Sequence, residues 1–213
     1  MKTIEQQRAY FALKCVERIK ILKIGKWLEF RENEFEEVRI SPDELPLEML
    51  KERALKGGII KTLWDIAKNI IPEFLRSKIN PKNKISDILN KFEKGEEIEP
   101  SILEKIKTAY SQLSFPPVDL TKDYASHAKK LPQLIVSNGL VPTLAFYKSK
   151  GKERMQIYLD LELWLKHKNL IQGNHLLEYI LTTDANWLRV ITTESLVFAE
   201  WLKRMAEVEL REE

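Results

Sequence analysis

Apolar residues recur along most of this chain at helical spacing. The clearest row is Tyr124, Ala128, Leu131 and Ile135, at i, i+4, i+7 and i+11, while Lys122, Ser126 and Lys129 share another face. One side of this predicted helix is core and another is cationic. Pro132 removes an N–H and crowds the carbonyl of Ala128, a defect of about 3 kcal/mol in a helix interior, so a bend or restart is expected there. Asn138-Gly139 supplies a residue able to take positive φ at the helix end, and Pro142 suits the first turn of the next helix. Together they predict a tight corner built on Pro132, Asn138 and Gly139, filled by Leu140, Leu144, Ala145 and Phe146.

The same pattern organises the rest. Thr3 followed by Gln6 reads as a capping box opening a helix to about Lys23, with Ala9, Ala12, Val16 and Ile19 inward. Its Arg8, Lys14 and Arg18 fall in one sector of the wheel, which predicts a solvated charged face. From Gly25 to Ile40 the periodicity loosens and leaves a frayed helix and a hairpin equally open. Ser41-Pro42-Asp43-Glu44 predicts a helix start running to Lys56, and Gly57-Gly58 its stop. Further helices are predicted over 59–71, ended by Pro72, over 86–94 after an Asn80–Lys84 loop, and over 101–112. Ser114-Phe115-Pro116-Pro117 reads as a linker. Beyond the corner, 152–168, 175–181 and a last helix capped by Asp184 follow, the last with Leu188, Ile191, Ser195, Phe198, Leu202 and Met205 inward. No segment has the two-residue alternation of a strand, so the predicted class is all-α: a bundle from 1–24 and 118–213 with an inserted, mainly helical lobe at 25–117.

Composition adds a little. Hydrophobic residues are 44% of 213, enough for a core, and no apolar run is long enough to span a membrane or serve as a leader, so a cytoplasmic location without membrane contact is expected. The abundance of Lys and Glu is a bias of proteins from hot environments. Cys15 is the only cysteine, in an apolar helical context that predicts a buried, inert thiol. The net charge of +3 is modest, but it is unevenly spread. Residues 1–22 hold five basic and two acidic side chains, +3, and 23–117 come out neutral. Lys122, Lys129, Lys130, Lys148, Lys150, Lys152 and Arg154 face only Asp123 and Glu153, giving +5.

The run Lys129-Lys130-Leu131-Pro132, Leu134-Ile135, Asn138-Gly139-Leu140, Thr143-Leu144-Ala145-Phe146 and Ser149-Lys150 resembles the central signature of the small helical subunit of the Cmr complex, the type III-B CRISPR RNA-silencing effector. Gln7-Arg8-Ala9 with Ala12 and Val16 is similar to that family's first helix, and Trp187 to Leu196 with Trp201 to Glu207 to its last. The resemblance covers about 1–22 and 119–210. It implies a non-catalytic subunit that assembles with other Cmr subunits, self-associates by stacking, and borders the channel holding CRISPR RNA and target RNA. Base pairing would then choose the sequence, and protein cations would only hold phosphates. The RNA-binding candidates are Lys14, Arg18, Lys122, Lys129, Lys130, Lys148, Lys150 and Lys152.

Catalytic patterns are sparse. His127, His167 and His175 lack the paired spacing of a helical zinc site, and Asp160 and Glu162, two residues apart, point to opposite helix faces. Neither a Gly-x-Ser-x-Gly elbow nor a phosphate-cradling glycine loop is present, so no catalytic residue, metal or cofactor is expected. Arg189 and Glu194 read as a structural ion pair or solvent-exposed groups. Two rival classes stay open: a helical protein–protein scaffold without RNA contact, and a helical nuclease, which would need a metal-binding carboxylate cluster.

Overall fold

The computed structural model describes residues 2–43, 45–54, 58–75, 85–115, 118–173 and 175–211. The chain divides into two units, Met1–Val38 with Pro117–Glu213, and Arg39–Pro116.

In the first unit, α1 (Ile4–Ile21) opens on the expected capping box: the Thr3 hydroxyl accepts from the Gln6 N–H at 3.2 Å and the Gln6 side chain accepts from the Thr3 N–H at 2.9 Å. Gly25, with φ 70°, ends the turn that follows. Next comes a hairpin, β1 (Lys26–Arg31) and β2 (Glu34–Arg39), one of the two readings that the loosened periodicity left open. Its two turn residues, Glu32 and Asn33, both take positive φ, 47° and 71°, the pattern of a tight hairpin turn that follows strand twist. Phe30 and Phe35 of this hairpin meet the buried Phe11 of α1 at 5.0 and 4.9 Å between ring centroids. The first unit therefore continues through the hairpin, beyond the boundary near 25 that the sequence suggests.

The bundle is completed by α6 (Thr121–Asn138), α7 (Leu140–Ser149), α8 (Lys152–His167), α9 (Leu176–Thr182) and α10 (Ala185–Glu209), numbered after four helices of the second unit. The Asp184 carboxylate caps α10, accepting from Asn186 and Trp187. That helix lies along α1 and α6, and Ile191, Ser195, Phe198 and Leu202 are buried in the expected row. Tyr124, Ala128, Leu131 and Ile135 of α6 face them, and Trp164 of α8 stacks on Phe198 at 5.1 Å. Cys15 is fully buried, as expected, and burial raises its thiol pKa.

The second unit holds α2 (Leu47–Ala54), α3 (Gly58–Leu75), α4 (Ile85–Lys94) and α5 (Pro100–Ser111). Its α2 starts at Leu47, several residues later than Ser41-Pro42 implies, and Glu44, Leu55, Lys56 and Gly57 lie outside the described residues. Pro72 does not end α3, which runs through it to Leu75 and buries Leu63, Trp64, Ala67 and Ile71. The Asn80–Lys84 loop and Pro116-Pro117 also lie outside the described residues. The fold is all-α apart from the hairpin. No helix among the described residues is long and apolar enough to cross a membrane.

Candidate nucleic-acid interface

Two sequence-selected cations of α1 are tied down. Arg18 is only 5% exposed, donates to the Asp160 carboxylate at 3.0 Å, and has its guanidinium 4.8 Å from the Trp27 ring and 5.5 Å from that of Phe35. Asp160 also accepts from the Tyr124 hydroxyl at 2.6 Å and from Gln156 at 2.8 Å. Burial pushes the pKa of Asp160 up, against the opposing pull of Arg18 and these hydrogen bonds. Arg18 thus belongs to the core and not to a solvated face. Lys14 pairs with Glu17 at 2.6 Å. Arg8, placed in the same sector, donates to Glu194 at 2.9 and 2.6 Å, and Trp164 donates to Glu194 as well. Burial raises Glu194, but the bonds from Arg8 and Trp164 outweigh it and hold the carboxyl below its usual range.

The second basic block stays at the surface. Lys122, Lys129 and Lys130 on α6, Lys150 just past α7, and Lys152 at the start of α8 are exposed. Lys148 is half-buried, with its ammonium 5.9 Å over the Tyr158 ring. The corner that aims these residues is built by glycines. Gly139 takes positive φ as expected, but with ψ 162° instead of the helical value of a left-handed cap, and Gly151 at the far end of α7 takes φ 70°, ψ 163°. That combination is almost exclusive to glycine. Pro132 is buried inside an unbroken α6, so no restart occurs there.

After the corner α7 returns along α6. The Tyr147 hydroxyl donates to the His127 carbonyl at 2.8 Å and the Thr143 hydroxyl to the Leu134 carbonyl at 2.9 Å. This register sets Phe146 level with the turn bearing Lys129 and Lys130. Arg154 of α8 closes the group. Its Nε donates to His127 Nδ1 at 3.4 Å, and its guanidinium lies 4.9 Å from the Phe146 ring centroid. Burial, with Arg154 and Lys130 nearby, lowers the His127 pKa and keeps the ring neutral, as its acceptor role requires. Arg154, His127 and Phe146 were not selected from sequence. Arg154 was visible in the charge count, whereas the other two needed the α6–α7 register.

Elsewhere on the bundle, Asp160 and Glu162 do face apart: Glu162 turns to Lys166 at 2.6 Å and accepts the Leu176 N–H at 2.8 Å, satisfying the start of α9. A pocket of about 430 Å³ is lined by Lys168, Leu170, Arg189, Val190, Thr193 and Glu194. Its carboxylate, Glu194, is the one already bonded to Arg8 and Trp164. No group of three or more His, Cys, Asp or Glu side chains able to hold a metal occurs among the described residues.

A helical bundle that keeps Arg8 and Arg18 of α1 in internal pairs and most of its corner cations at the surface defines a class of small all-α proteins with a cationic edge. By sequence, the chain belongs to the family described as CRISPR-associated protein (Cas_Cmr5), whose model matches residues 96–209. It is 33% identical over 108 residues to the protein of Thermotoga maritima named CRISPR system Cmr subunit Cmr5, covering 50% of this chain and 81% of that one. No solved structure matches it. The family match takes in α5 to α10 and leaves out α1, the hairpin and most of the second unit.

Proposed function

We propose that this chain is the small, non-catalytic subunit of a Cmr-type (III-B) CRISPR effector in the cytoplasm, assembling with other Cmr subunits and holding CRISPR RNA or target RNA on its corner cations. The observation that carries the reading is the family match across α6, α7 and α8, which with the turn between α7 and α8 display Lys122, Lys129, Lys130, Lys150 and Lys152. The Thermotoga maritima relative is named a Cmr subunit, which supports the assembly part. Contact with phosphates suits the surface, since ammonium groups on helix faces position a strand without reading bases. Arg18 is left out, because its guanidinium is committed to Asp160, and Lys14 is secondary through its pair with Glu17. Cleavage would fall to other subunits.

A scaffold reading, with protein contacts only, is favoured by exposed apolar side chains such as Val136 and Val208, which are 72% and 65% accessible. One experiment separates the two. Each ammonium that neutralises a phosphate of a single strand adds about 0.7 to the magnitude of the slope of log K against log salt. Replacing Lys129, Lys130, Lys148 and Lys150 by Ala should weaken RNA binding about equally for unrelated sequences and flatten that slope by roughly 1 to 3 units. A folded, assembling variant with unchanged affinity and slope would hand the case to the scaffold.

A further inference from the structure

The buried side of α7 is Leu140, Thr143, Leu144 and Tyr147, and Phe146 stands off it, 44% exposed. Single exposed apolar side chains are ordinary, and Val136 and Val208 are more exposed than this ring; what sets Phe146 apart is its place at the cationic corner. It is also held. The Arg154 guanidinium lies against it at 4.9 Å, Tyr147 meets it edge-on at 6.0 Å between centroids, and Arg154 is itself anchored on His127 at 3.4 Å. One turn further along the chain comes exposed Lys150, and Lys130 is close enough to act electrostatically on His127.

We infer that Phe146, backed by Arg154, is a stacking platform for an unpaired nucleobase, with the exposed lysines of the same corner taking the phosphates of the same strand. The inference rests on the RNA reading above and adds to it a chemical requirement: the ligand must carry a base that is free to leave its stack. Every base has a π-face, so such a platform is indifferent to sequence, and Arg beside an aromatic ring is a common partner of bases in single-stranded binding sites. The arrangement also predicts how the ligand is divided. Charge contacts set the salt dependence, and the ring sets a contribution that salt does not touch. An aromatic anchor for a protein partner would share the exposed ring but would have no use for the ligand's bases.

The test uses the full chain at low salt, with fluorescein-labelled oligouridine and an abasic ribose-phosphate oligomer of equal length. Phe146→Leu should weaken oligouridine binding about 5- to 100-fold, leave the salt slope unchanged, and leave abasic binding unchanged. Phe146→Trp should restore or tighten oligouridine binding. If Phe146→Leu binds both ligands as the parent does, while the four-lysine variant loses affinity and slope, the platform is overturned and the RNA reading stands. If Phe146→Leu instead loses only its assembly with other Cmr subunits, the ring is a protein anchor and the platform is overturned. No binding of either oligomer by the parent chain overturns the platform together with the RNA reading.

Discussion

Replacing Arg18 by Met tests whether this cation belongs to the core. The guanidinium is 5% exposed and its partner, Asp160, is fully buried, so the substitution leaves a carboxylate in the interior with the hydrogen bonds from Tyr124, Gln156 and Cys15 but no cation. Removing one partner of a buried pair costs about 3–5 kcal/mol. Three surviving donors favour the lower end, about 3 kcal/mol. For a chain of this length each kcal/mol moves the melting temperature by about 2–4 °C, so a fall of about 6–12 °C is expected by circular dichroism or calorimetry. Met itself fits the slot between Trp27 and Phe35, which keeps packing loss small.

The pH dependence of that loss supplies a second reading. Burial already raises Asp160 in the parent, and loss of Arg18 raises it further. An acid whose folded pKa lies above its unfolded value destabilises the fold above that folded pKa, and the penalty fades as pH falls through it. The gap between Arg18→Met and the parent should therefore narrow on acidification. Asp160→Asn keeps an acceptor for Tyr124 and Gln156 while removing the charge, so the double variant should cost less than the two singles added, by about 0.5–3 kcal/mol. A melting temperature for Arg18→Met within about 2 °C of the parent, with additive singles, would refute a buried pair and return Arg18 to the surface.

Gly139→Val forces a β-branched side chain into φ 86°, ψ 162°, and should destabilise by about 1–3 kcal/mol in chemical unfolding, although the nearest foreign atom to its Cβ, Pro142 Cδ, is a comfortable 3.8 Å away; the cost is backbone strain alone. Acid should weaken the fold in two stages. His127 and His167 both have lowered pKa values, chiefly from burial, so the stability tied to their neutral forms is complete above their ordinary value of about 6.5 and is lost as pH falls through their folded values. Asp119, held down to about 2 by Lys23 and Thr121, and Glu194 then lose their contributions below the usual carboxylate range; a melting temperature flat from pH 7 to pH 3 would contradict both stages.

How much of this was legible in the chain depended on the range of each interaction. Rows such as Tyr124 to Ile135, or Ile191 to Leu202, are local repeats and were readable, as were the caps at Thr3 and Asp184. The hairpin was legible only as one of two open alternatives. Its turn, Glu32-Asn33, lacks the Asn-Gly or Asp-Gly signal, and β2 is dominated by glutamates; what holds it is Phe11, far off in α1. Pro72 was read as a stop and Pro132 as a bend or restart because an isolated helix would break there, yet both lie within continuous helices, and Pro132 is buried among tertiary contacts that offset the missing N–H.

The cations show the same limit and sharpen the functional argument. A helical wheel places Arg8, Lys14 and Arg18 in one sector but cannot see that Glu194 and Asp160, on helices more than a hundred residues away, will meet two of them. Charge counts treat the +3 of residues 1–22 and the +5 of the corner alike, whereas the fold commits Arg8 and Arg18 of the first to internal pairs and leaves much of the second exposed. A buried ion pair is costly to desolvate and contributes nothing to attracting a polyanion, while an exposed ammonium does the reverse. The number of cations that bear on RNA is therefore set by their partners rather than by composition. It falls to the α6–α7–α8 corner, which carries exposed Lys129, Lys130 and Lys150 together with an exposed ring backed by Arg154, and where phosphate contact and base stacking can be separated by measurement.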